Sequence, residues 1–303
     1  MHRQPPQLMQ IEKTSYQAWS EAYRCVIGAV ELVVVSSIGP RILSLRLDGG
    51  DNLLYEDAGS FGVGAWKLYG GHRFAIAPES ETSYLPDNEP CEARVEPDRL
   101  TVRQAPDRAG LQKALVITPA AAGQGFEIEH ILANRGSLPW HGAAWAITCV
   151  PPKGRVVLSW GAGNHRWRTN AVRYWTRAGE RYACPSSKQW QPGSDCFQVK
   201  PNGEKGKVGL YSSQGWLALV RPEATFGIRC LKVAPEAAHP DGGCNLEVFT
   251  CQKFVELETL GPLTTLYPGQ ELSHSELWLV SNQTVDEARG ESPARLFEAC
   301  QSL

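Results

Sequence analysis

Several motifs that mark common enzyme classes are missing from this sequence of 303 residues. It contains no P-loop, no G-x-G-x-x-G and no G-x-S-x-G, which disfavours nucleotide-dependent enzymes and serine hydrolases. Its seven histidines never form H-x-x-x-H, and its nine cysteines never form C-x-x-C. From this spacing we expect neither a metal site nor a zinc finger.

Long apolar runs are equally scarce. Residues 1–23 lack the continuous apolar segment of a signal peptide, and the most hydrophobic stretch, residues 25–43, is broken by Glu31, Gly39 and Pro40. The formal net charge of -2 indicates neither a nucleic-acid nor a membrane partner. The dispersed, odd-numbered cysteines are typical of reduced thiols, so we expect a cytoplasmic protein of unspecified oligomeric state.

What the sequence has in abundance is period-2 alternation of apolar and polar residues, from about residue 16 to 280. Helical periodicity is confined to residues 284–303. Many short strands without crossover helices favour an all-β antiparallel sandwich or barrel. Because no low-complexity linker or repeat is present, we expect one domain over residues 1–303, with a short helical tail.

Residues 160–195 form a long, tryptophan-containing loop segment. Between residues 161 and 207, nine Lys/Arg accompany only three Asp/Glu, a local balance of +6. One interpretation is a solvated basic loop. The other is a loop that contacts an anionic ligand beside aromatic faces, with His165 among the ligand-binding residues.

The segment YGGHRFAIAPE, residues 69–79, contains the first candidate site. In a strand, Arg73 lies on one face with two alanines, while His72 shares the other face with Phe74 and Ile76. The small alanines leave room for a ligand beside Arg73. The alternative is an ordinary strand with a structural histidine and a surface arginine.

The turn that follows, residues 83–90, supplies polar groups for a pocket rim. Tyr84 and Asp87 are the candidates here, together with Glu79 just before the turn. Most segments of this composition are simply loops.

Residues 245–280 contain the second candidate site, a predicted hairpin followed by another strand. Glu256 and Glu258 share one strand face and lie roughly 7 Å apart, and Glu247 on the preceding strand can join them. On a solvent face they would be an ordinary polar edge. In a cleft, repulsion and desolvation would raise one pKa and create an acid/base pair.

Several segments together resemble the galactose mutarotase-like (aldose 1-epimerase-like) superfamily over roughly residues 16–280. They are the opening strands of residues 20–56, with I-x-S-L before a Gly-Asp-Asn-x-L turn, and YGGHRFAIAPE, YLPDN and ELETLGPLTTLYPG. The likeness is nearest to an uncharacterised bacterial branch of that superfamily. It implies a β-supersandwich with a sugar-sized cleft on one large sheet.

The resemblance also implies a reaction that needs no cofactor. In characterised mutarotases a histidine protonates the ring oxygen and a late-strand glutamate takes the anomeric hydroxyl proton, so the ring opens and recloses on the other face. The context ELETLGPLTTLYPG resembles that of the late glutamate in hexose-6-phosphate epimerases and indicates Glu258 as base. Glu247 and Glu256 are the alternatives, and His72 is the expected acid by position.

The sequence departs from the superfamily in one motif. The second-histidine motif H-x-Y-F-N is missing, and the comparable segment NRGSLPWHGAAWAIT carries His141 and Trp145 instead. Trp145 and Arg73 would hold the sugar, and the basic loop favours an acidic one, since arginine suits bidentate contacts.

Three function hypotheses follow for a small-molecule sugar partner. The first is a mutarotase or epimerase. The second is a carbohydrate-binding or sensory module that has the cleft without the chemistry. The third is a carbohydrate hydrolase or lyase that uses paired glutamates.

Overall fold

The computed structural model describes residues 8–57, 62–63, 65–121, 125–161 and 170–282. These residues are almost entirely antiparallel β-structure, which confirms the all-β prediction. Within them, helical turns are limited to the 3-10 turn Glu81–Tyr84 and the single turn Pro240–Gly243. In the same ranges, no helix has the length and apolarity needed to cross a membrane. The predicted helical tail, 284–303, lies outside the described residues.

The larger sheet has 11 strands. In spatial order they are β1 (Gln10–Tyr16), β2 (Trp19–Ile27), β3 (Val30–Val35), β4 (Arg41–Leu47), β7 (His72–Ala77), β12 (Trp140–Val150), β21 (Val255–Leu260), β20 (Leu246–Thr250), β17 (Gly206–Leu210) and β14 (Val172–Tyr174), with β22 (Thr264–Leu266) beside β12.

The second sheet has 10 strands, and a short hairpin stands apart from both sheets. The order is β15 (Trp190–Pro192), β16 (Cys196–Val199), β13 (Arg155–Ser159), β18 (Trp216–Val220), β19 (Thr225–Cys230), β23 (Glu271–Ser281), β11 (Gly125–Asn134), β10 (Leu111–Pro119), β9 (Arg99–Arg103) and β8 (Glu92–Glu96). The hairpin joins β5 (Gly62–Val63) to β6 (Trp66–Lys67).

The main hydrophobic core lies between the two large sheets and follows from the alternation of each strand. On β7, Phe74 and Ile76 belong to this core, and on β21 Val255 and Leu257 do. Trp278 of the second sheet packs against them in the same core and is fully buried. The period of two therefore sends the intervening residues of β7 and β21 to the opposite face of the larger sheet. We call that opposite side the outer face.

The outer face carries its own apolar cluster, built from small residues and one large aromatic side chain. Ala75, Ala77 and Ala143 lie beside Trp145 in this cluster. The alanines of YGGHRFAIAPE thus give β7 only small side chains around Arg73 on the outer face, as the alternation of the strand predicts.

The paired glycines before β7 have a backbone reason to be glycine. Gly71 has φ +62°, and a Cβ there would lie 2.1 Å from the carbonyl oxygen of Ile42. We expect Gly71→Ala to lower the free energy of unfolding by about 3 kcal/mol, because left-handed strain and backbone overlap add.

The matched control is Gly49→Ala. Gly49 has a similar φ of +68° but no heavy atom within 4 Å of the added Cβ. It should cost only the strain, about 1 kcal/mol. Urea unfolding of both variants measures the difference, and equal losses would show that the close approach to Ile42 is unimportant.

Candidate functional site

Strand register aligns the polar residues of the outer face in rows. Arg73 on β7 pairs with Ile147 on β12, Ile147 pairs with Glu258 on β21, and Glu258 pairs with Glu247 on β20. Directly paired residues of antiparallel strands point to the same side of the sheet. The sequence prediction that Glu247 joins the glutamates of β21 on one face therefore agrees with the register.

Glu247 and Glu258 share a single cation. The Nζ of Lys207 on β17 lies 2.7 Å from Glu247 Oε2 and 2.8 Å from Glu258 Oε2. Both carboxylate side chains are fully buried, and the lysine side chain is 10% exposed. Trp145 Nε1 donates a third hydrogen bond to Glu258 Oε2, at 2.6 Å.

This arrangement gives the two carboxylates different environments. Burial raises the pKa of Glu247 to about 8, because desolvation and the neighbouring Glu258 outweigh Lys207. Glu258 has two hydrogen-bond donors on Oε2, Lys207 Nζ and the indole N–H of Trp145. Near neutral pH Glu247 therefore carries a proton.

Two indole rings enclose the ammonium group of Lys207. Its Nζ lies 4.6 Å from the ring centre of Trp145 and 5.3 Å from that of Trp175. Trp175 packs where Gly209 lacks a side chain, since a Cβ there would lie 2.9 Å from the ring. Aromatic faces are also surfaces on which sugar rings stack, so the site has apolar walls around a charged centre.

A second polar group on the outer face centres on Arg73. Arg73 forms an ion pair with Glu256 at 3.4 Å, and its guanidinium lies 5.0 Å from the ring centre of Trp66. Tyr84 packs edge-on against Trp66 and donates a hydrogen bond to Glu79. Both Arg73 and Glu256 are only 12% exposed.

Some polar atoms of this site have no hydrogen-bond partner. They are Nη1 of Arg73 and Oε1 of both Glu258 and Glu247. Buried donors and acceptors are normally paired, so these atoms are polar groups of the outer face with unused hydrogen-bonding capacity.

The architecture can be compared with solved structures. An Escherichia coli K12 protein provisionally named an aldose 1-epimerase superposes with a TM-score of 0.58 over 91% of this chain and 100% of its own, at 14% identity. A galactose mutarotase-like protein from Clostridium acetobutylicum gives 0.56 over 91% and 99%, at 10% identity. Another from Lactobacillus casei gives 0.57 over 90% and 100%, at 8% identity.

The fold is that of the galactose mutarotase-like proteins. This confirms the superfamily resemblance at the level of the fold. No protein-family model and no curated protein matches the chain. At identities of 8–14% these structures establish the mutarotase-like fold and leave substrate and reaction to be argued from the site.

His72 does not lie on the same face of this mutarotase-like sheet as Glu258, and the expectation that it acts as acid there needs correction. It is fully buried on the core side of β7, where its Nε2 lies 2.7 Å from His130 Nε2 and its Nδ1 lies 2.9 Å from Thr148 Oγ1. Burial also holds the pKa of His72 well below its usual range. The sheet itself separates His72 from the glutamates, as the alternation of β7 requires.

Two other predicted ligand-binding residues, Asp87 and His141, are not brought to the carboxylate pair. Asp87 is bound by the buried Arg41, with Nη2 2.7 and 2.8 Å from its two oxygens. Burial alone would raise the pKa of Asp87, but Arg41 lowers it below its usual range. His141 is exposed at the start of β12 and bonds Thr265 at 2.9 Å. His165 lies outside the described residues.

Sequence reasoning missed Lys207, which organises the whole site. The segment GKVGL alternates, so Lys207 and Gly209 share the face opposite Val208 and Leu210. That pattern could have placed Lys207 on the outer face. What it could not supply is the pairing of β17 with β20, which brings the lysine to Glu247.

The basic loop is less available for anions than its composition suggests. Arg177 and Lys205 both form ion pairs with Glu180. Arg173 donates to the carbonyl oxygen of Gly242. A cavity of about 830 Å³ does lie in this region, lined by Arg181, Tyr182, Ala183, Cys184, Ser186, Ser187, Lys188, Asn202, Glu204 and Lys205.

Proposed function

We propose that this protein is a cofactor-independent sugar mutarotase or epimerase of the aldose 1-epimerase type. The observation that carries the proposal is the Glu247–Glu258 pair, two buried carboxyl groups in direct register that share one lysine, with the pKa of Glu247 raised to about 8. Pairs of titratable groups with different pKa values are the usual basis of acid/base assignments. The mutarotase-like fold supports the same class of reaction by analogy.

In the proposed mechanism Glu258 is the base and Glu247 is the acid. Glu258 takes the proton of the anomeric hydroxyl while Glu247 gives its proton to the ring oxygen, and the bond between C1 and the ring oxygen breaks. Rotation about C1–C2 presents the other face of the aldehyde. On ring closure Glu247 takes back a proton from the open-chain hydroxyl while Glu258 gives its proton to the aldehyde oxygen, so both carboxyl groups return to their starting state and atoms and charge balance over the cycle.

Lys207 has two functions in this proposal. Its ammonium is the shared partner of both carboxyl groups, and its side chain covers them between the two indole rings. Sugar hydroxyl groups displace the ammonium from this cover and take its place as donors. Arg73 Nη1, which lacks a partner, donates to a further sugar oxygen.

The substrate that fits best is a neutral pyranose. Arg73 and Lys207 each already have a carboxylate partner, and Lys207 has two. An anionic sugar would have to compete with those carboxylates. The alternative is an acidic sugar, which the composition of the basic loop favours, so uronates and phosphosugars are included in the test below.

One observation favours a second candidate, the carbohydrate-binding module. Glu258 is already bonded to Lys207 and Trp145, and in a module without chemistry these bonds would simply fix the floor of a sugar site. Such a module would bind sugars without changing their anomeric equilibration.

The test is saturation-transfer NMR of α/β interconversion over neutral, uronic and phosphorylated sugars. Wild-type protein should accelerate interconversion of at least one neutral aldose over a protein-free sample, and acidic sugars less. The acceleration should fall as pH rises through about 8, because Glu247 then loses the proton it donates.

Subtracting the protein-free rate at each pH removes catalysis by hydroxide. Sugar binding without acceleration for any sugar would overturn the mutarotase proposal in favour of the binding module. An acceleration that keeps rising above pH 8 would instead remove Glu247 as the acid.

A further inference from the structure

A compact group of metal-binding side chains lies between the two sheets, away from the outer face. His72 on β7, His130 on β11 and Glu276 on β23 each direct one ligand atom to a common point, and these atoms lie within 4.8 Å of one another. All three side chains are buried, with 0% exposure for both histidines and 1% for the glutamate. Polar groups this deep need a structural or chemical reason.

The hydrogen bonds define how the two imidazoles face the common point. His130 Nδ1–H donates to the carbonyl oxygen of His274 at 2.8 Å, so in the neutral ring Nε2 carries the free lone pair. Nε2 of His72 lies 2.7 Å from it and holds the proton between them, while Thr148 donates to His72 Nδ1. Both rings are therefore fixed by their Nδ1 atoms and present Nε2 to the same place.

The carboxylate is fixed in a comparable way. Trp278 Nε1 donates to Glu276 Oε2 at 2.8 Å, and Thr259 Oγ1 lies 2.5 Å from Oε1. His274 Nε2 in turn lies 2.7 Å from Thr259 Oγ1. Histidines held through the second ring nitrogen and carboxylates held by outer donors are the usual surroundings of metal ligands.

We propose that His72, His130 and Glu276 bind one divalent first-row transition ion of the Zn²⁺ type. Two imidazole nitrogens and one carboxylate oxygen suit Zn²⁺, whereas Mg²⁺ and Ca²⁺ prefer oxygen ligands. Ligand atoms around a tetrahedral ion with bonds of about 2.0 Å lie about 3.3 Å apart. Side-chain shifts of about 1–1.5 Å produce that spacing from the present one.

Binding rearranges protons without an external reactant. The proton on His72 Nε2 moves to Nδ1, and Nδ1–H then donates a hydrogen bond to Thr148 Oγ1. Both Nε2 lone pairs then face the ion. Any proton on Glu276 is released to solvent, because the ligand is the carboxylate. The ion bridges strands of both sheets, since β7 belongs to one and β11 and β23 belong to the other.

The spacing of the sequence could not reveal this site. Its ligands are separated by 58 residues between His72 and His130, and they come from strands of different sheets. The expectation that no metal site exists rested on H-x-x-x-H and C-x-x-C spacing, which detects only local ligand pairs.

The test loads the full-length protein with metal during folding, because the site is sealed in the folded chain. Chelator-treated protein is refolded from guanidinium chloride with ZnCl2 or CoCl2 and desalted, and bound metal is counted. We expect one equivalent, visible d–d absorption of Co²⁺ without thiolate charge-transfer bands, and a nitrogen/oxygen shell with imidazole scattering in X-ray absorption. Thermal unfolding should occur at a higher temperature than in the metal-free protein.

Two variants test the ligands and one is the matched control. His130→Gln and Glu276→Gln should each weaken metal binding at least by the roughly 10–100-fold that loss of an outer partner costs. His141→Gln removes an exposed histidine and should bind like wild type. Absence of stoichiometric metal in refolded wild type, thiolate bands, or an X-ray absorption shell without imidazole would each overturn the proposal, whether or not the variants fold.

Discussion

Replacing Glu258 by glutamine is expected to slow anomer interconversion by about 10²–10⁴-fold, the usual contribution of a positioned base. The amide oxygen can still accept from Trp145 and Lys207, so the local hydrogen bonds survive. What the amide cannot do is take up the proton of the anomeric hydroxyl. The loss should appear in kcat and in kcat/KM alike, because the proton transfer occurs only in the transition state.

Glu271→Gln provides the control for that experiment. Glu271 is exposed on β23 of the second sheet and pairs only loosely with Arg135, at 3.8 Å. Its substitution should leave the interconversion rate unchanged. If Glu258→Gln were as fast as wild type, Glu258 could not be the base, and the alternative carboxylates Glu247 and Glu256 would have to be tested in the same assay.

The faces of the strands could be predicted from the sequence because side-chain direction alternates strictly along a strand. Arg73 opposite His72, and Glu256 with Glu258 on one face, follow from that rule alone. The same rule assigned His72 to the face of Phe74 and Ile76. The interior position of His72 therefore follows from the sequence. The expectation that His72 acts as acid came from the analogy with mutarotase histidines and not from this alternation.

Partners from distant strands could not be predicted in the same way. Lys207 reaches Glu258 across 51 residues of sequence, and Arg41 reaches Asp87 across 46. Alternation predicts the face of the sheet on which each side chain lies, but only strand order and register determine which side chains it contacts. The two glutamates were therefore visible in the sequence as a pair, whereas the lysine that they share was not.

The same argument limits what the charge count of the basic loop can predict. A local balance of +6 counts charges along the chain, but Lys207 is neutralised by glutamates of β20 and β21, which lie outside the counted range. Charge in a folded site is a sum over neighbours in space. At this site the charge of Lys207 is offset by the carboxyl groups of Glu247 and Glu258, so the lysine adds no net positive charge there.

The shared lysine leads to the largest expected effect on stability. Lys207→Met keeps the length of the side chain but leaves Glu247 and Glu258 buried without their cation. Removing one partner of a buried ion pair costs about 3–5 kcal/mol, and here two carboxylates depend on the same partner. We therefore expect a loss of about that size in the free energy of unfolding at pH 8, measured by urea unfolding.

The loss should shrink as pH falls, and the sign follows from the pKa of the carboxylates. The pKa of Glu247 is already raised to about 8 in the folded protein, and loss of Lys207 raises it further. A carboxyl group whose pKa is raised by folding destabilises the protein as pH rises through the window between its unfolded and folded values. Below that window Glu247 is neutral in the folded and the unfolded protein alike, so its missing cation no longer matters.

Lys205→Met is the matched control, because Lys205 lies on the same chain segment but pairs with Glu180 at the surface. Surface pairs of this kind contribute little, so little or no change is expected at either pH. Adding Glu247→Gln to Lys207→Met should recover part of the lost stability by removing one of the two uncompensated charges. A Lys207→Met protein as stable as wild type at pH 8 would show that the carboxylate pair does not depend on this lysine, and the role given to Lys207 as its shared partner would be wrong.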